Sequence, residues 1–162
     1  MEPMIKENLK AKAQTNQEKT EVVNALNSLL SNNQVYYQNL RGLHWMIEGD
    51  QFFVLHEKYE EWYTQAATNI DDVAERILTI GGKPSHTFED YLADSDIKPV
   101  KNITSGSQGI EVVLNNNNIL LNHYYQVIKA AEKAEDEGTV DLISGMISET
   151  EKRMWMLKAY LS

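Results

Sequence analysis

Residues 51–80 read QFFVLHEKYEEWYTQAATNIDDVAERILTI, with neither glycine nor proline to interrupt them. Leu55, Tyr59, Trp62, Tyr63, Ala66, Ile70, Val73 and Ile77 recur at steps of three and four, which gives one apolar side to a single long helix. Glu48-Gly49-Asp50 precedes it as a turn, and Gly81-Gly82 stops it. A helix of this length with one apolar side must bury that side against another element, and the further long helical patterns along the chain make the class all-α.

The neighbouring segments supply the cover. From about Glu18 to Trp45, Val22, Leu26, Leu29, Tyr36, Leu40 and Leu43 form one stripe. Residues 81–106 are the only long connection, and within it Thr87 reads as the cap of a short helix over roughly Phe88 to Ala93. Pro99 then interrupts the chain. A third long helix is expected from near Ser107, carrying Val113, Leu114, Leu120, Leu121, Tyr124 and Ile128, with Gly138 as its stop. Asn115 to Asn118 are poor helix formers inside it. A last helix holds Val140, Ile143, Met146, Ile147, Met154, Leu157 and Leu161. Two helical hairpins joined by a long crossover predict a ferritin-like four-helix bundle over residues 18–162, with a short extra helix in the middle crossover. Residues 1–17 are expected as an N-terminal tail.

The chain has 162 residues, 42% of them hydrophobic, enough for one domain with a real core. With no cysteine, it has no disulfides, thiolate metal sites or cysteine nucleophiles. Met1-Glu2-Pro3-Met4 lacks the basic start and apolar run of a signal peptide, and no window reaches the roughly 20 apolar residues of a membrane span. A soluble cytoplasmic protein is therefore expected. The net charge of -9 argues against a broadly basic DNA-binding surface.

Five candidate ligands and one tryptophan lie in the first hairpin. Asp71 and Glu75 share a face one turn apart, as do His56 and Glu60, while His44 and Trp45 close the preceding helix. Imidazole and carboxylate ligands suit a hard-to-borderline metal such as iron and do not exclude zinc or manganese. His56 and Asp71 are fifteen residues apart, roughly 22 Å at 1.5 Å each. Ligand bonds of about 2.0–2.2 Å cannot bridge that span. His44 lies just before the Gly49 turn and His56 just after, so an antiparallel hairpin brings the two imidazoles near each other. Opposite Asp71 and Glu75 fall residues 25 to 30, with no histidine or carboxylate among them. A complete site then takes His44, His56 and Glu60 from one subunit and Asp71 with Glu75 from a twofold-related neighbour. Taken singly, an acidic pair one turn apart is ordinarily a solvated face, and a histidine beside a tryptophan at a helix end ordinarily packs or caps.

The run Asn39-Leu40-Arg41-Gly42-Leu43-His44-Trp45 resembles the Dps family, the DNA-protection-during-starvation proteins or mini-ferritins. Phe52 to Lys58, Asp71 to Ile77, Gly81 to Pro84, Thr139 to Ile143 and Glu151 to Leu157 carry the resemblance over nearly the whole chain. It implies an intersubunit ferroxidase centre in a hollow dodecamer. His44, Asp71 and Glu75 would be primary iron ligands, and His56 would hold or relay to a second, weaker site. Glu60 stands where the family commonly has an acidic residue, often aspartate. The implied reaction is oxidation of iron(II), with hydrogen peroxide favoured over oxygen, and storage of iron(III) mineral inside the shell, which protects DNA under oxidative stress. Trp45 would intercept oxidising equivalents, and Asp141 would line an iron-entry pore; packing accounts equally well for the first and surface solvation for the second.

Other signals fail. His56-Glu57-Lys58-Tyr59-Glu60 begins like a zincin helix but has Glu60 where the second histidine belongs. No histidine has a glutamate three residues earlier, so the Glu-x-x-His di-iron motif of bundle interiors is absent. Gly82-Lys83-Pro84-Ser85 lacks the first glycine of a phosphate loop, Ile77 standing in its place. Some relatives bind DNA through lysine-rich tails, but here Lys6, Lys10, Lys12 and Lys19 are set against Glu2, Glu7 and Glu18. Direct DNA binding is expected to be weak or absent at physiological salt. A DNA-compacting cage with little ferroxidase activity is the alternative.

Overall fold

The structure, a computed structural model, describes residues 2–162, and the side chains of these except residues 2, 3, 8 and 10–13. Its elements are helices: α1 (Glu2–Met46), α2 (Phe52–Thr79), α3 (Phe88–Asp94), α4 (Gly106–Lys133) and α5 (Glu137–Leu161). α1 packs along α2, α4 packs along α5, and α1 also lies against α4 and α3. The long helices form a ferritin-like bundle, with α3 in the crossover between the hairpins.

α1 begins at Glu2, so the segment expected as a tail is helical and continuous with the bundle helix. Apolar periodicity misses this stretch because its described side chains, Met4 to Glu7 and Leu9 among them, are exposed, and burial on α1 begins at Val22. Of the four lysines counted there, Lys6 and Lys19 are exposed, and the Lys10 and Lys12 side chains lie outside the described residues.

The core runs the length of the bundle. Leu26, Leu29 and Leu40 of α1 meet Tyr59, Val73 and Ile77 of α2, Val113 and Val127 of α4, and Ile143 of α5, all essentially inaccessible. Gly49 and Gly81 adopt φ of 98° and 87°, the left-handed region that a chain reversal next to a helix requires. Thr87 caps α3 by accepting from the Asp90 N–H, as its position predicts.

Gly138 does not end α4. That helix stops at Lys133, and Glu135 carries the left-handed turn at φ 55°. Asp136 then caps α5, and Gly138 sits in its first turn, where a Cβ would come within 3.0 Å of the Arg76 guanidinium. The glycine makes room for a side chain of α2, a demand that sequence pattern does not reveal.

The asparagines work against local propensity and are satisfied tertiarily. Asn116 and Asn117 are buried in an unbroken α4. Asn39 donates to the Asn116 side chain, and Asn117 donates to Tyr36 Oη and accepts from Arg153. On α1, Asn27, Asn32 and Asn39 hold the crossover by its backbone. Asn32 Oδ1 accepts from the N–H groups of Asp96 and Ile97 and from Ser95 Oγ, and Asn39 bonds Lys98 O and Val100 N–H. Asn27 does the same at Lys83 and Ser85. These bonds pair main-chain groups of a long connection at several points where it crosses the bundle.

Candidate metal centre

His44 ends α1 and His56 opens α2, and the turn at Gly49 stacks their rings, with centroids 3.8 Å apart and planes 15° from parallel. His44 Nδ1 lies 2.6 Å from the His56 carbonyl oxygen, and His56 Nδ1 lies 2.8 Å from the His44 carbonyl oxygen. A carbonyl only accepts, so each Nδ1 carries its proton and donates it. In the neutral rings both Nε2 lone pairs are then free for a ligand. Phe52 stacks on the other face of the pair, 4.9 Å from His56, and Tyr63 meets His44 edge-on at 5.3 Å.

An imidazole binds a metal in its own ring plane. Two nearly parallel planes separated by a ring's thickness meet only far beyond bonding distance, so one ion cannot take both Nε2 atoms in good geometry. Each imidazole is therefore suited to giving its Nε2 to a separate ion.

Glu60 is exposed one turn after His56 and accepts a hydrogen bond from Tyr63 Oη at 3.2 Å. Desolvation first, and the Glu60 carboxylate second, hold the Tyr63 phenol above its ordinary range. A recess of about 480 Å³ on the outer side of α2, lined by Glu57, Glu60, Glu61, Thr64, Gln65 and Thr68, contains Glu60 alone of the expected ligands.

Asp71 and Glu75 are exposed at the other end of α2, which is unbroken over its 28 residues. The register that sets His44 against His56 and Tyr37 against Tyr63 sets Leu29 against Asp71 and Ala25 against Glu75. Neither residue offers a ligand atom. Among the described residues, no three histidine, aspartate or glutamate side chains of one chain gather as a metal site. The structure therefore brings His44 and His56 together, puts Glu60 one turn beyond, and leaves Asp71 and Glu75 far from all three.

Sequence reasoning missed the reciprocal carbonyl bonds and the ring stack; it placed Tyr63 only on the apolar stripe and Phe52 only in the stretch that carries the family resemblance. The histidines' positions on either side of a glycine turn hold the only signal for the stack. His123 is a buried structural residue, its Nε2 2.7 Å from Asp96 Oδ2 and 3.1 Å from Asn32 Nδ2. His86 is exposed and bonds the Pro84 carbonyl. Asp141 is exposed near the start of α5. No helix among the described residues is long and apolar enough to cross a membrane.

A family model described as a ferritin-like domain matches residues 23–162. The DNA protection during starvation protein of Porphyromonas gingivalis is 43% identical over 139 residues, which cover 86% of this chain and 87% of that protein. DNA protection during starvation protein 2 of Bacillus anthracis is 39% identical, covering 88% and 97%. Among solved structures, the Dps protein of Vibrio cholerae O1, described as a member of a broad superfamily of ferritin-like diiron-carboxylate proteins, superposes with a TM-score of 0.88. It is 42% identical, with 90% of this chain and 92% of that one covered. A bundle of this topology, a paired-histidine hairpin and relatives this similar along almost their full lengths lead to one assignment: the chain belongs to the Dps family of ferritin-like proteins.

Proposed function

We propose that the protein is a ferroxidase that oxidises iron(II) at sites shared between subunits and stores iron(III) inside a shell of twelve copies, shielding DNA from oxidative damage. The observation that carries this reading is the fixed tautomer of the stacked His44 and His56 rings, which offers two Nε2 donors to two neighbouring ions. Asp71 and Glu75 of a twofold-related subunit complete the set with carboxylate oxygens, and Glu60 adds one from the histidine side. Mixed nitrogen and oxygen donors fit iron(II) as substrate, with zinc and manganese as competitors for the same atoms.

The chain's residues have distinct tasks in this reaction. His44, Asp71 and Glu75 bind the first iron, and His56 with Glu60 binds the second. The carbonyl bonds to each Nδ1 keep both rings oriented and raise their basicity as ligands. Carboxylates neutralise the charge gained as iron(II) becomes iron(III). Hydrogen peroxide accepts two electrons, one from each of two irons, and with two protons yields two waters, so no one-electron product escapes. Oxygen is the slower alternative oxidant. The product passes to the interior of the assembly, and Asp141 lines an entry route.

Direct DNA binding is not part of this reading, because the net charge of -9 opposes contact with phosphate and Lys6, Lys10, Lys12 and Lys19 are set against Glu2, Glu7 and Glu18. The protein acts in the cytoplasm. Stopped-flow absorbance on mixing the assembled protein with iron(II) and peroxide tests the proposal. Rapid iron(III) formation, lost in His44→Ala, supports it. Rates equal to those of protein-free buffer would overturn it.

A further inference from the structure

His56 is held between two flat rings. His44 stacks on it with centroids 3.8 Å apart and planes 15° from parallel, and Phe52 stacks on it at 4.9 Å and 20°. Two parallel rings cannot share one face, so Phe52 covers the face that His44 leaves open. Phe52 opens α2, with its N–H bonded to the Gly49 carbonyl, and stands one turn before His56 on the same side of the helix. It is half-buried against the core and meets Phe53 edge-on at 5.3 Å, so its own ring is fixed.

A carbonyl bond to Nδ1 does not by itself aim an imidazole. A hydrogen bond survives a bend of about 30°, which swings Nε2 by roughly 1 Å, whereas metal distances hold within about 0.2 Å. His44 is only 8% exposed, and its packing removes that freedom. His56 is half-buried, and without Phe52 its outer face would meet water, which competes with the His44 carbonyl for the Nδ1 proton. Phenylalanine covers that face with a surface that neither donates nor accepts. The surface is also electron-rich, and an imidazole that has given its lone pair to a cation is electron-poor. The stack of Phe52 on His56 therefore strengthens when an ion binds Nε2.

We propose that Phe52 is a positioning residue for the second ion: its ring fixes the tautomer and the plane of His56 and so directs Nε2. This inference rests on the reading of His44 and His56 as donors to two separate ions. Phe52 touches His56 and acts through it, offering no ligand atom of its own. Its loss therefore falls on one ion of the pair. His44 keeps its burial and its edge-on contact with Tyr63, and the first ion keeps its donor.

The test uses the assembled full-length protein, isotopically labelled at the histidine nitrogens for solid-state magnetic resonance and titrated with zinc(II) by calorimetry. Single histidine variants assign the signals, and particle mass confirms assembly of each variant. The metal-free wild type should show the proton on Nδ1 at both His44 and His56. Phe52→Leu and Phe52→Met keep an apolar side chain but remove the flat face. Each should give a mixture of tautomers at His56 alone. Each should also weaken the second zinc ion about tenfold, as loss of an outer partner of a ligand does, and leave the first as in the wild type. Phe52→Tyr should restore both readouts. Unchanged tautomers and affinities in Phe52→Leu and Phe52→Met overturn this inference while the two-ion reading stands. Equal weakening of both ions in assembled particles, or a Phe52→Tyr that behaves like Phe52→Leu, overturns it alone as well. Fewer than two zinc ions per shared site in the assembled wild type overturns the two-ion reading and this inference with it.

Discussion

The rings of His44 and His56 lie face to face, each holding its Nδ1 proton on the other residue's backbone carbonyl. That relationship converts a helical turn into a pair of directed nitrogen donors. Under the proposed function its consequence is a count to be measured: two ions per complete site, one per imidazole.

Titration with zinc(II), a redox-inert probe, measures that count. The wild-type assembly should bind two ions per shared site, and His56→Ala one, with the lost ion weakened by more than about a hundredfold, beyond what outer partners of a ligand alone contribute. A single ion per site in the wild type, held by both histidines, would refute the parallel-plane argument. Isothermal calorimetry reads both stoichiometry and affinity.

Acid stability should depend on Asp136. Burial raises its carboxyl, but hydrogen bonds from Thr139 and Arg76 outweigh this and leave it below the ordinary 3.8. The contribution is therefore complete above pH about 4 and is lost as pH falls through the depressed value. Charge-assisted bonds of this kind contribute about 1–3 kcal/mol. Asp136→Asn should lower the melting temperature at pH 7, and its difference from wild type should shrink towards pH 3. A difference that stayed constant across that range would show that the charge does not matter.

Tyr59 presents the opposite case, a buried hydroxyl with no hydrogen-bond partner among the described residues. Burial, with a smaller effect from Tyr160, raises this phenol's pKa. Its oxygen lies where a Cβ on Gly109 would sit, so the glycine is required by the tyrosine. Tyr59→Phe should be neutral or stabilising, since an orphaned buried polar group costs about 1–3 kcal/mol. Gly109→Ala should destabilise by about 1–3 kcal/mol through overpacking, and Tyr59→Phe should relieve part of that loss. Denaturant midpoints of the two single variants and the double variant decide it.

The bundle was legible because its apolar stripes are long, and Leu55 to Ile77 alone define a helix that must be covered. Turn chemistry was equally plain at Gly49, Gly81 and Thr87. Gly138 misled because a glycine near a helix end ordinarily stops the helix, whereas here it clears space for Arg76 from another helix. Asn116 and Asn117 looked like a weakness because propensity ignores partners, and Tyr36, Asn39 and Arg153 supply them. The length of α1 was missed because exposed helix leaves no apolar pattern.

For the site, sequence spacing separated the histidines from Asp71 and Glu75, and an unbroken α2 keeps them apart. Ring stacking and carbonyl bonding lay beyond the sequence because they depend on side-chain angles at a turn. Tyr63 resembled every other aromatic on its stripe until its neighbours His44 and Glu60 were placed.

The central claim is that two chains share each site, and co-assembly measures it most directly. A His44→Ala/His56→Ala chain and an Asp71→Ala/Glu75→Ala chain should each oxidise no iron alone. Mixed at equal amounts and reassembled, half the twofold pairs contain both chains, and each such pair has one intact site of two. Recovery to about a quarter of the wild-type rate is the predicted result, following from twofold symmetry. No recovery in particles shown by mass spectrometry to contain both chains, or full activity in either parent, would contradict it.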